Sequence, residues 1–107
     1  MEEAILYIWC LSETRSSSVS NRTRFPARST RVKDLSSGME LADLFENEYF
    51  RDALGSLKLE EVGDDHVTIS YRGDKFTVRK GERHTTPMFP TDNAYLSEFM
   101  AVEVELS

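Results

Sequence analysis

Cysteine is nearly absent from this 107-residue chain: Cys10 stands alone, so no internal disulfide forms and no cysteine-based structural zinc site can be built. Small secreted domains depend on such cross-links, and their absence makes a reducing, cytoplasmic setting the expectation. Long apolar runs are missing as well. No segment reaches the roughly 18 residues that a membrane helix requires. The opening run, Ala4 to Leu11, follows Glu2 and Glu3, where a secretory signal would carry Lys or Arg. Neither a membrane nor an export role is expected.

The five glycines are scattered, and no glycine-rich phosphate loop can be assembled from them. His66 and His84 are the only histidines, and their spacing matches neither a helical nor a finger-type ligand pattern. They read as ordinary turn and surface residues, with Asp64, Asp65 and Glu82 nearby in sequence. No metal and no cofactor is expected. Nucleophilic catalysis needs an activated Ser, Thr or Cys beside a base. Cys10 lies in the most apolar segment, where a thiol is inert, and the serine run at 16–18 and 20 lacks a tight turn to present one hydroxyl. A non-catalytic role is the preferred reading.

Charge is unevenly distributed. Residues 13–33 hold Arg15, Arg22, Arg24, Arg28, Arg31 and Lys33 against Glu13 alone, a net of +5. The remaining seven basic and 18 acidic residues give −11, and the chain as a whole carries −6. An acidic body with one basic segment is the main oddity, and a functional reading starts there. Arg22, Arg24, Arg28 and Arg31, with Phe25 as an adjoining apolar surface, are the candidate residues for an anionic ligand or a partner. Their plain alternative is pairing with the chain's own carboxylates, which contributes little to stability at exposed sites. Nucleic acid is disfavoured, because the sequence pI of about 4.9 is far below that of nucleic-acid-binding domains.

The elements follow from patterning. Ala4 to Leu11 is continuously apolar, β-branched and aromatic, and reads as a strand buried on both faces. Such burial requires cover on each side or a subunit interface on one. Residues 13–37 read as a long basic, serine-rich loop, with a short edge strand over Asn21 to Phe25 ending at Pro26. The spacing of Leu41, Ala42, Leu44, Phe45, Tyr49 and Ala53 predicts a helix over 38–54, opened by a Ser37–Glu40 capping box and closed by a left-handed Gly55. Alternation over 57–80 predicts a three-strand meander, with Arg72-Gly73-Asp74-Lys75 as a tight hairpin. Residues 84–93, with Pro87 and Pro90, read as an irregular crossing. The even-numbered apolar positions from Ala94 to Leu106 predict a final strand, with helical turns over 93–99 as the alternative.

Together these give one small domain over 1–107, of α+β class: an antiparallel sheet of about five strands with one main helix. A small β-sandwich or half-open barrel with one helix is the competing architecture. Two short motifs remain. Arg72-Gly73-Asp74 is an integrin-type tripeptide that a hairpin explains without any ligand, and Pro87-Met88-Phe89-Pro90 has the spacing of a proline-rich ligand although Met88 and Phe89 suit the core. The leading functional expectation is an interaction or regulatory domain binding another protein, self-association included, because Tyr7, Trp9 and Leu11 offer more apolar area than one helix covers. The alternative is a small-molecule anion or nucleotide binder using the arginines of 13–33.

Overall fold

A computed structural model describes residues 3–15, 20–91 and 98–107. Its strands are β1 (Ile5–Arg15), β2 (Ser20–Pro26), β3 (Thr30–Arg31), β4 (Lys58–Val62), β5 (His66–Tyr71), β6 (Asp74–Arg79), β7 (Arg83–Thr85), β8 (Phe89–Pro90) and β9 (Glu98–Leu106). One α-helix, α1 (Glu48–Ala53), lies between β3 and β4. The large sheet runs β2–β1–β9–β7, with β3 also on β1 and β8 also on β9, and β4–β5–β6 form a second antiparallel sheet. Both sheets are open.

The two apolar chain ends lie edge to edge. β1 and β9 pair antiparallel from Leu6–Leu106 to Thr14–Glu98. Because side chains alternate across a strand, the even residues Leu6, Ile8 and Cys10 of β1 share one face with Met100, Val102, Val104 and Leu106 of β9. That face belongs to a single core cluster with Leu59, Val67, Ile69, Tyr71 and Val78 of the second sheet. Each fully buried Leu or Ile there contributes about 1.5–3 kcal/mol of transfer free energy. The arrangement is mostly antiparallel strand with few helical residues and one small helix, so the expected antiparallel sheet is present and the α+β label describes it loosely.

The helix expected over 38–54 is not formed. Residues 41–44 make one 3₁₀ turn, Phe45 is extended, and only Glu48–Ala53 is α-helical. Tertiary hydrogen bonds take backbone groups of this stretch, of which the Leu41 N–H and the Met39 and Leu44 carbonyls would have served a continuous helix. The Gly38 N–H donates to Leu59 O, Leu41 to Leu57 O, Leu59 to Met39 O, and Arg28 to Leu44 O. Gly38 sits at φ +89, a left-handed conformation incompatible with the proposed capping box. Ser37 Oγ instead donates to Glu60 O at 2.6 Å. Asn47 is the actual cap, its side chain accepting from the Tyr49 N–H at 2.8 Å. Arg51 closes the bend by donating to Phe45 O and Glu46 O. Gly55 is not left-handed; Leu54 ends α1 at φ −106. Of the expected apolar face, Leu41, Ala42, Leu44 and Phe45 are buried, whereas Tyr49 is 44% exposed and Phe50, outside that face, is buried instead.

The 57–80 meander is present, with a register shift between Leu59 and Glu61. Its tight turn has positive φ at both Arg72 (52) and Gly73 (86), the two-residue geometry that suits strand twist. Within the segment read as a 13–37 loop, β1 extends to Arg15 and β2, which contains the expected edge strand over Asn21 to Phe25, pairs with it from Trp9–Pro26 to Arg15–Ser20, while 16–19 lie outside the described residues. The described part of the crossing, 84–91, carries β8 and part of β7 paired with β9, and 92–93 lie outside the described residues. The predicted start of the last strand, 94–97, lies outside the described residues, as does most of the alternative helical stretch.

Candidate functional site

The odd residues of β1 and β9 form the outer face of the large sheet. Register places Tyr7 beside Glu105, Trp9 beside Glu103, Leu11 beside Ala101 and Glu13 beside Phe99. Leu11 and Ala101 are buried but are not part of the core cluster. Tyr7 and Trp9 are half-buried, and their rings stack with centroids 6.0 Å apart and planes 14° apart.

Arginines cap these rings. The Arg24 guanidinium lies 4.1 Å from the Trp9 ring centroid and Arg83 lies 5.8 Å from it, while Arg15 lies 4.1 Å from the centroid of Phe99. Each cation also meets a carboxylate on the same face. Arg24 pairs with Glu103, Arg83 with Glu105 at 3.3 Å, and Arg15 with Glu13 at 3.2 Å. Arg22 reaches Glu13 at 3.5 Å. Glu13 is buried and also accepts a hydrogen bond from Ser20 Oγ at 2.5 Å. The Ser20 and Arg15 hydrogen bonds pull its pKa down to about 2, with the charges of Arg15 and Arg22 adding to the effect. The face is therefore a lattice of aromatic rings, cations and anions, largely paired within itself.

The sequence-selected residues do not meet in one concavity. Arg22 and Arg24 share the outer face of β2. Phe25 turns inward and packs on Phe50, with centroids 4.7 Å apart. Arg28 and Arg31 line a separate shallow recess of about 440 Å³ with Asp34. Arg31 pairs with Asp34 at 3.2 Å and with Glu3 at 3.7 Å. Arg28 forms no ion pair among the described residues. Most of the basic segment is thus placed on the chain's own carboxylates. Sequence reasoning did not select Arg15, Arg83, Glu13 and Glu103; the Trp9–Glu103 register that joins them is a long-range pairing with no local signature.

Among the described residues no group of three His, Cys, Asp or Glu is arranged to hold a metal ion. His66 bonds Asp65 at 3.1 Å and Glu61 at 3.4 Å, and His84 stacks on Phe76. No helix among the described residues is long and apolar enough to cross a membrane. Cys10 is buried, and burial pushes its thiol pKa up to about 12. No protein-family model, curated protein or solved structure matches the chain.

Proposed function

We propose that this chain is a non-catalytic interaction domain that binds another protein through the outer face of β1 and β9, and that a second copy of the chain is the occupant. The observation that carries this reading is the stacked Tyr7–Trp9 pair, two large aromatic rings only half-buried on the outer face. Aromatic rings and arginines are the residue types that dominate binding energy at protein interfaces. A two-fold contact sets one patch against itself, so the patch must complement its own charges. Alternating Arg15, Arg24 and Arg83 with Glu13, Glu103 and Glu105 meets that requirement, whereas a patch of one sign would not. Of the arginines singled out from sequence, Arg22 and Arg24 belong to this surface, and Phe25, Arg28 and Arg31 lie elsewhere. The lone, buried and weakly acidic Cys10 supports a reducing, cytoplasmic setting for the domain.

Sedimentation velocity across micromolar concentrations tests the reading. A dimer that dissociates on dilution, and that Trp9→Ala weakens at least tenfold, is the expected result. A monomer at every concentration overturns the second-copy assignment.

A further inference from the structure

The outer face of the large sheet repeats itself. On that face β1 presents Trp9, Leu11 and Glu13, and β9 presents Phe99, Ala101 and Glu103. Both strands thus carry an aromatic ring, an apolar residue and a glutamate at alternate positions. Because the strands are antiparallel with Leu11 opposite Ala101, the repeat becomes a local two-fold about that central pair. Trp9 stands opposite Glu103 on one side of it, and Phe99 stands opposite Glu13 on the other.

The cations obey the same relation. Arg24 lies 4.1 Å from the centroid of Trp9 and pairs with Glu103. Arg15 lies 4.1 Å from the centroid of Phe99 and pairs with Glu13 at 3.2 Å. Each row is therefore a ring, a carboxylate and one arginine that touches both. Arg24 comes from β2 and Arg15 from β1, so the likeness of the two clamps is tertiary and not a repeat of one strand's sequence. Four residues of extended chain separate Trp9 from Glu13 and set the rows about 14 Å apart.

Phe99, like Trp9, is half-buried and lies outside the core cluster. The chain carries −6 overall, yet within each clamp the arginine and its glutamate cancel. Either clamp can therefore be covered by a like-charged copy without burying an unpaired charge. A two-fold contact sets a patch on its own copy. An axis over Leu11–Ala101 covers both clamps at once, whereas one over Tyr7–Trp9 leaves the Phe99 clamp at the margin.

We infer that the Phe99–Arg15–Glu13 clamp is a second hot spot of the contact, equal in weight to Trp9–Arg24–Glu103, and that the dimer axis passes over Leu11–Ala101. This inference rests on the self-association proposed above, and its own failure is separable from the failure of that reading.

Sedimentation velocity of the full chain decides between them, with wild type, Trp9→Ala, Phe99→Ala and Arg15→Lys compared over the same concentrations. Trp9→Ala and Phe99→Ala are each expected to weaken the dimer at least tenfold and by similar factors. Arg15→Lys keeps the ion pair with Glu13 but loses the planar stack on Phe99, and is expected to weaken the dimer with no loss of fold, so it reports on the clamp even where Phe99→Ala disturbs folding. A dimer weakened by Trp9→Ala and untouched by Phe99→Ala and Arg15→Lys would overturn the inference and leave self-association through the Tyr7–Trp9 end. A wild-type monomer at every concentration would overturn both.

Discussion

The Arg24 guanidinium lies 4.1 Å from the centre of the Trp9 ring and at the same time pairs with Glu103, the residue opposite Trp9 on β9. One cation thus links three strands, β2, β1 and β9, across the outer face. Trp9 is the only tryptophan, which makes its emission a direct reporter of this contact. Arg24→Ala is expected to shift the emission to longer wavelength, to increase acrylamide quenching and to lower stability by about 0.5–1 kcal/mol. Lys at the same position should restore only part of the loss, because an ammonium cannot stack on the ring as a guanidinium does. Emission that is identical in wild type and Arg24→Ala would show that the pair is not formed.

Asn47 separates the observed break from the continuous helix that its neighbours suggest. As the cap of α1 it satisfies the Tyr49 N–H, and Asn47→Ala should cost about 1 kcal/mol. In an unbroken helix over 38–54 the same change would stabilise, because Ala is the better mid-helix residue. Urea unfolding of Asn47→Ala gives the sign directly, with Asn47→Asp expected to be near neutral.

Glu13 makes the hairpin of β1 and β2 acid-sensitive. Its folded pKa of about 2 lies below its ordinary 4.5, so its contribution is fully present above the unfolded value and is lost as pH falls through about 2. Glu13→Gln should flatten the stability profile in that window. Identical acid limbs in the two proteins would remove Glu13 from the account.

His66 acts in the opposite direction. Its hydrogen bond to Asp65, then that to Glu61, raise its pKa above 6.5 against the effect of burial. The stability it lends is therefore complete below the unfolded value near 6.5 and disappears as pH rises through the higher folded value. Its ring lies against Gly63, where an added Cβ would collide with the imidazole. Gly63→Ala must displace the ring, and NMR titration is expected to show the His66 pKa falling back towards 6.5. A titration curve unchanged by that substitution would mean that the imidazole is not held between the two carboxylates.

How much of this was legible in the amino-acid order differs from element to element. The unbroken apolar run of β1, the alternation in β5, β6 and β9, and the Arg72–Gly73 turn all express preferences that act over two to six residues, and the fold keeps them. The apolar spacing over 38–54 identified the buried residues of its first half, Leu41 to Phe45, but neither their conformation nor the exchange of Tyr49 for Phe50 in the second, because the break at Phe45 to Asn47 resets the helical phase. The backbone hydrogen bonds of Gly38 with Leu59, of Leu41 with Leu57, and of Arg28 with Leu44 made that choice.

The candidate arginines illustrate the same division. Composition revealed a basic segment in an acidic chain, and binary patterning revealed an over-apolar first strand. Whether those cations met a ligand or the chain's own carboxylates depended on the β1–β9 register, which sets Trp9 beside Glu103 although they are distant along the chain. Local order determined which residues face the core, since side-chain alternation is a property of the strand itself. Tertiary structure decided where charge is paired and where a cavity opens, since both depend on which distant segments share hydrogen bonds and a common face.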